Sequence, residues 1–306
     1  VTVAPVRWNV ALRAAASDIK LHHSVFALPF AALGAALAAS SGCEGLVWSR
    51  VPWVVILLCM VLARTAAMLS NRVLDARIDA RNPRTAGRAI PAGRLPVRLA
   101  VGLIVLCVLG CGAACGVLGW QRGNWWPLWL CGPVLAWLLV YPLLKRRTWL
   151  CHVWLGVSLA MSVPAAALTV DPASLQWPAV WWLAAMVLLW VSGFDVIYAL
   201  QDVEVDRREG LFSMPARLGV SRAMDVSRAM HLLAVFCLWQ AYFADARLGV
   251  PFAIAIGIVT VLLVVEHATV HRWGTTRMAI TFFTLNGVVS VVLGAAGVAG
   301  LAGLWR

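Results

Sequence analysis

Two short acidic series have the residue types and spacing to hold metal ions. The first is Asn71, Asp75 and Asp79 in "NRVLDARID". At i, i+4 and i+8 these residues form one slowly drifting stripe on a helix, and Asn82 returns to the same line. The second is Asp195, Asp202 and Asp206 in "DVIYALQDVEVD". A step of seven residues returns a helix almost to its starting angle and the next four shift it modestly, so these three also share a face, with Tyr198 beside it. Five carboxylates gathered in this way would repel one another unless something offsets them. Hard oxygen donors suit Mg2+, which keeps several waters and is often held by one or two carboxylates together with substrate phosphates. Arg72, Arg84, Arg88, Lys145, Arg146 and Arg208 surround the two series. Acid and base collected in one place are what a metal–diphosphate complex needs. The plainer reading is carboxylates paired only with loop arginines at a wet interface. It does not explain two acidic stripes at matching positions in two halves of the chain.

Other polar residues carry weaker signals. In "YPLLKRR" (141–147), Tyr141 and Lys145 are i, i+4 neighbours. They read either as an aromatic anchor with a snorkelling cation or as phosphate contacts. Lys20 is open in the same way, as an interface anchor or a contact to a carboxylate or phosphate. His267 and His271 have ligand-like spacing without a companion acidic motif, so they are expected at a solvated helix end.

The elements that must position these residues are membrane helices. The 306 residues are 62% hydrophobic and 12% charged. A spanning helix needs about 20 apolar residues and must satisfy its own backbone hydrogen bonds. Nine runs qualify, near 24–42, 51–70, 97–118, 125–144, 150–170, 178–199, 229–244, 249–267 and 278–301. The seventh is short and carries Gln240. The expected fold is all-α, one domain over 1–306, with nine transmembrane helices around a central cavity. The net charge of +12 does not imply nucleic acid, because its distribution follows the membrane. With nine spans, 20 of the 25 Lys and Arg fall on the side of the N-terminus. Arg50, Arg122, Arg247 and Arg306 fall on the other, and Arg64 lies inside the second span. Positive charge marks the cytoplasmic side, which places the N-terminus and both acidic segments there.

The two long polar segments, 71–96 and 201–228, echo each other: "IPAGRL" is answered by "MPARLG". Helices two and six of two parallel halves would each end in an acidic motif. The eight cysteines lie mostly in apolar runs, so they read as packing residues, including Cys107, Cys111 and Cys115 on one helix face. The glycines at 294, 297, 300 and 303 are expected to permit close helix contact.

On these motifs the chain resembles the UbiA intramembrane prenyltransferases. "NRVLDARIDARNPRTAGRAIPAG" resembles their NxxxDxxxD motif and following basic segment, and "DVIYALQDVEVDRREGLFSMPARLG" is similar to their second motif. "YPLLKR" resembles their YPxxKR element, and "IKLHHSVFALPFA" their first helix. The likeness runs over essentially the whole chain and is strongest to the 4-hydroxybenzoate polyprenyltransferase branch. It implies Mg2+ on Asn71 and Asp75 and a second ion on Asp202 and Asp206. Asp79 and Asp195 would orient ligands or the acceptor. Lys145, Arg72 and Arg146 would meet diphosphate oxygens, with Arg84, Arg88, Lys20 and Tyr198 around the bound donor and Tyr141 beside the allylic carbon. The partners implied are a polyprenyl diphosphate, an aromatic acid and the lipid bilayer of the plasma (inner) membrane. A dihydroxynaphthoate-type acid is the alternative acceptor. A CDP-alcohol phosphotransferase would open its signature with Asp-Gly, a pair absent here. An ion transporter would place its polar residues near the bilayer midplane rather than at one side.

Overall fold

Apolar runs that must bond their own backbone fold as helices, and proline and glycine set many of their ends. In the computed structural model, which describes residues 8–19, 26–41 and 45–303, the elements follow in order. They are α1 (Trp8–Ile19), α2 (Leu28–Ala39), α3 (Trp53–Leu74), α4 (Ala76–Arg81), α5 (Val97–Arg122), α6 (Trp126–Leu144) and α7 (Cys151–Ala160). Then come α8 (Ser162–Val170), α9 (Pro178–Tyr198), α10 (Val203–Arg208), α11 (Met214–Leu218), α12 (Val220–Ala244), α13 (Gly249–Trp273) and α14 (Asn286–Leu301). A two-residue ladder pairs Ser40 with Leu46. Proline opens α2, α6 and α9, where its missing N–H costs nothing. Gly123, at φ 69°, ends α5 in the left-handed region that a side chain would resist. Pro164 cannot donate to Ala160, and the span that contains both divides at Met161 into α7 and α8.

Seven helices among the described residues are long and apolar enough to cross a membrane, against the nine expected. The other two expected runs are helical but fall short in different ways. The first is apolar but described over only 12 residues as α2. The other, α12, is 25 residues long and begins nine residues before the apolar run, so it takes in Arg222, Asp225 and Arg228 as well as His231 and Gln240. The terminal helix α1 was not among the expected elements.

The helices close on one another. Along the ring, α3 packs on α5, α5 on α6, α6 on α7, α7 on α9, α9 on α12, α12 on α13, α13 on α14, and α14 back on α2, which touches α3. The longest buried run belongs to α9: 67% of its apolar stretch lies inside the protein, against 39% or less for the other spans. Its Leu183, Val187, Trp190 and Phe194 meet Phe30 of α2 and Phe252 of α13 in the largest core. Gly294 and Gly297 let α14 approach Pro29 and Leu33 of α2, and Gly300 lets it approach the Leu248 carbonyl. Cys59 Sγ lies 3.8 Å from Cys115 Sγ where α3 meets α5. Leu106, Leu109, Trp129, Phe243 and Val264 face outward, as a lipid-facing surface requires.

His267 departs from expectation. It is not at a solvated end but 3.0 Å from His231, next to buried Glu266. Asn286 joins this group by donating to Glu266 at 2.7 Å, while it accepts from Trp190 Nε1 at 2.7 Å. A polar residue buried in a membrane protein needs such partners, and these tie α9, α12, α13 and α14 together.

Candidate active site

Both acidic series stand where a helix loses its regular form. α3 ends at Leu74, and Asp75 takes φ −93°, ψ 5° before α4 begins. α9 tightens into a 3-10 turn over Ala199–Asp202 before α10. The continuous helical stripes expected from spacing are therefore each interrupted, yet both series still face one cavity of about 500 Å3. At the first break Asn71 Nδ2 donates to Asp75 Oδ2 at 3.2 Å, an i, i+4 side-chain pair, while the Asp75 N–H still bonds the Asn71 carbonyl at 2.9 Å.

Of the residues singled out from the sequence, Asn71, Arg72, Asp75, Asp79, Arg84, Arg88, Tyr141, Lys145, Arg146, Asp195, Tyr198, Asp202 and Asp206 all line this cavity. Lys20 lies outside the described residues. Arg208 does not line the cavity; its side chain turns to the Arg81 carbonyl at 3.3 Å. The reason is helical phase, since Asp206 and Arg208 are two residues apart and cannot share a face.

Four carboxylates of the cavity each carry a cation. Arg146 meets Asp75 at 2.9 Å, Arg88 meets Asp79 at 2.7 Å, Arg84 meets Asp202 at 2.5 Å, and Lys145 meets Asp206 at 2.7 Å. Arg84 is bidentate, with Nε also 3.0 Å from Asp202 Oδ1, and its Nη1 reaches the Tyr198 hydroxyl at 3.3 Å. Asn82 donates to Asp202 at 3.1 Å, so the segment after the first acidic series caps the second. Arg81 and Glu209, 2.9 Å apart, join the two segments again. Burial pulls the Lys145 ammonium down, but Asp206 outweighs it and the pKa is raised. Burial likewise opposes the charge on Arg84, and the bonds from Asp202 again leave the pKa raised. For Asp75 burial wins: its carboxyl is pushed up despite Arg146.

The oxygens fit hard cations. Asp206 Oδ2 is buried and accepts no hydrogen bond, and Asn71, Asp75 and Asp202 offer further oxygen donors around the same cavity. Among the described residues no three acidic, histidine or cysteine groups converge closely enough to enclose an ion. Two protein ligands for each ion would leave the remaining positions to a diphosphate and water.

One cavity residue was not anticipated. His152, at the start of α7, is buried, and its Nδ1 lies 2.7 Å from Asp195 Oδ2. Its Nε2 accepts the Met214 backbone N–H at 3.2 Å. An accepting Nε2 carries no proton, so Nδ1 holds it and donates to Asp195. The only sequence signal was an ionisable residue in an apolar run.

Farther along α3, α6 and α7, where the runs are apolar apart from Arg64, the cavity is lined by Met60, Ala63, Val134, Leu138 and Leu159. A charged mouth over an apolar floor suits a molecule with an anionic head and a hydrocarbon body.

The UbiA prenyltransferase family profile matches residues 27–288. The 4-hydroxybenzoate octaprenyltransferase of Paracidovorax citrulli is 30% identical over 79% of this chain and 79% of its own length. That of Psychrobacter arcticus is 25% identical over 82% and 80%. The apo structure of a UbiA homolog from Aeropyrum pernix K1 superimposes with a TM-score of 0.78 at 30% identity, covering 90% of this chain and 97% of that one. A UbiA homolog from Archaeoglobus fulgidus bound to GPP and Mg2+ shares the fold, with a TM-score of 0.70 at 14% identity over 94% of this chain and 99% of that one. With the profile spanning most of the sequence and the two acidic motifs facing one cavity, the chain belongs to the UbiA prenyltransferase family and is a prenyl-transferring enzyme.

Proposed function

We propose that this enzyme moves a polyprenyl group from its diphosphate to an aromatic acid of the 4-hydroxybenzoate type, in a Mg2+-dependent step of quinone synthesis. The observation that carries the reading is the facing of the two acidic series across one cavity that is charged at its mouth and apolar at its floor. The names of the curated relatives support the acceptor, and the fold shared with a protein that binds GPP and Mg2+ supports the donor and the metal.

Asn71 and Asp75 would hold one ion, and Asp202 and Asp206 the second. Bound there, Mg2+ supplies Lewis-acid stabilisation of the charge that develops on the departing diphosphate. Lys145, Arg84, Arg88 and Arg146 hold the carboxylates in the protein alone and would turn part of their hydrogen bonding to diphosphate oxygens as the donor binds, with Arg72 beside them. The carbon–oxygen bond breaks and its electron pair leaves with the diphosphate. The rings of Tyr141, Tyr198 and Phe282 line the cavity where the allylic cation would form, and aromatic faces attract cations. The apolar floor excludes water that would otherwise trap the cation. The electron-rich ring of the acceptor then forms the new carbon–carbon bond, and the displaced ring proton passes to a base. Asp195, held by His152, is the carboxylate placed for that task. Asp79, held by Arg88, orients the first acidic segment.

The charge bias supports a mouth and N-terminus on the cytoplasmic side of the plasma membrane. Membranes given Mg2+, a polyprenyl diphosphate and a mixture of 4-hydroxybenzoate and dihydroxynaphthoate are expected to yield the prenylated hydroxybenzoate by mass spectrometry. Asp75→Ala and Asp202→Ala are each expected to lower the rate by about 100-fold or more. Near-normal rates in both variants would refute the metal assignment, and a naphthoate product would refute the acceptor.

A further inference from the structure

Asn286 has no task in the chemistry described so far, yet both polar atoms of its side chain are engaged. It is fully buried at the start of α14. An indole N–H can only donate, so Oδ1 is the atom that faces Trp190 Nε1, at 2.7 Å. The amide nitrogen then has its two hydrogens for two acceptors, Glu266 Oε1 at 2.7 Å and the Thr281 carbonyl at 3.1 Å. Glu266, on α13, is itself buried, and a carboxyl enclosed in a membrane protein is rarely idle.

The bond to Thr281 shows what this group holds. Residues Ala279–Leu285, between α13 and α14, form a π-helical turn. Such wide turns are rare and often stand at functional sites. This one carries Phe282 into the wall of the catalytic cavity. There the Phe282 and Tyr198 ring centroids are 4.2 Å apart, and Phe194 and Phe26 pack on Phe282 at 5.2 and 5.7 Å. Tyr198 accepts from Arg84, which holds Asp202, so Phe282 stands just inside the charged mouth. Residues 271–277, which lead into the turn, are all exposed. The turn thus joins an exposed connection to the aromatic wall, and Asn286 ties it to α9 and α13.

Resting on the prenyl-cation chemistry proposed above, we infer that Asn286 is a positioning residue: it holds the π-helical turn so that Phe282 closes on Tyr198 and keeps water from the allylic cation. The cation has two fates. The acceptor ring attacks its carbon and loses a ring proton, or water attacks the same carbon, forms a carbon–oxygen bond and loses a proton to give the prenyl alcohol. The aromatic wall sets how the cation divides between them. Leucine at 286 has a similar volume but would leave Trp190, Glu266 and Thr281 without their shared partner, and the turn would lose its hold.

The test reads that division. Purified protein in nanodiscs is given Mg2+, geranyl diphosphate and 4-hydroxybenzoate in water carrying heavy oxygen, and the products are resolved by mass spectrometry. Capture of the cation puts the heavy oxygen on carbon, whereas cleavage of the phosphorus–oxygen bond by a phosphatase leaves the original oxygen there. The ratio of labelled alcohol to prenylated acid does not depend on how much protein is active, so lost stability alone would not move it. The ratio is expected to rise about tenfold in Asn286→Leu and in Phe282→Leu. Glu266→Gln, whose Oε1 can still accept from Asn286, is expected to stay within about twofold of wild type. Trp190→Phe keeps a ring but removes the indole donor and should raise the ratio about threefold, which decides the matter if Asn286→Leu does not fold. An unchanged ratio in folded Asn286→Leu, in Trp190→Phe or in Phe282→Leu overturns the inference. Labelled alcohol that rises per mole of folded variant, in a protein of which no form prenylates the acid, would keep the wall and refute the acceptor. Prenylation by every form at one ratio would do the reverse.

Discussion

At the scale of single residues the site is a set of neutralised pairs. Each of Asp75, Asp79, Asp202 and Asp206 meets one cation, which lowers the cost of holding several carboxylates together before any substrate arrives. The plainer reading of the sequence, carboxylates paired with loop arginines, is thus present in the resting molecule. What it omits is that the pairs line a shared cavity and that Asp206 keeps one oxygen free. His152 adds a second kind of control. It joins Asp195 to the Met214 backbone, so the start of α11 helps fix the orientation of the carboxylate. Glutamine could donate to Asp195 and accept from Met214, whereas leucine could do neither. We expect His152→Gln to keep kcat within about tenfold and His152→Leu to lower it by about 10- to 100-fold, with the donor's KM little changed. Equal loss in the two variants, measured by steady-state kinetics in membranes, would deny the positioning role.

At the scale of helices, the close crossings depend on small residues. A Cβ on Gly156 would strike the Leu188 carbonyl and the Ser192 hydroxyl where α7 crosses α9, and one on Gly34 would strike the Val163 carbonyl where α2 crosses α8. Backbone cannot yield as a side-chain tip can. Gly156→Val is therefore expected to destabilise the protein by about 1–3 kcal/mol and lower its thermal midpoint. Gly112→Val, with nothing within 4 Å of the added carbon, is the control and should leave the midpoint nearly unchanged. Since α7 carries His152 and α9 carries Asp195, the first substitution should also depress turnover. The irregular turns have a related consequence. The break at Asp75 and the tight turn at Ala199–Asp202 mean that side-chain direction at both motifs is set by local bonding as well as helix phase.

At the scale of the molecule, the distribution of charge supports the proposed orientation, which would determine the compartment that supplies the proposed substrates. Ala92 is exposed on the side of the mouth, and Gln121 is exposed at the far end of α5. In intact cells a membrane-impermeant maleimide is expected to label Gln121→Cys, and to label Ala92→Cys only after permeabilisation. The reverse pattern would place the active site outside. The closed ring from α2 to α14 also explains why one half alone would not serve: each half contributes one acidic series, and Asn82 and Arg84 of the first cap Asp202 of the second.

Much of this was legible in the sequence because membranes leave few choices. Apolar runs must be helices, arginines mark one side, and acidic series at i, i+4 and i+7 steps identify faces without reference to the fold. Recognition of the motifs then named the family and the metal-binding candidates together. What sequence could not supply were relations across distance. The partnership of Arg84 with Asp202 spans 118 residues, and that of His152 with Asp195 spans 43. His152 and Arg64 each stand alone in an apolar run, with no neighbour in sequence to explain them. The broken helices at both motifs and the shortfall of α12 as an apolar span likewise depend on context that periodicity does not carry. Spacing along a helix fixes an angle about one axis; only the packing of several axes decides which faces meet.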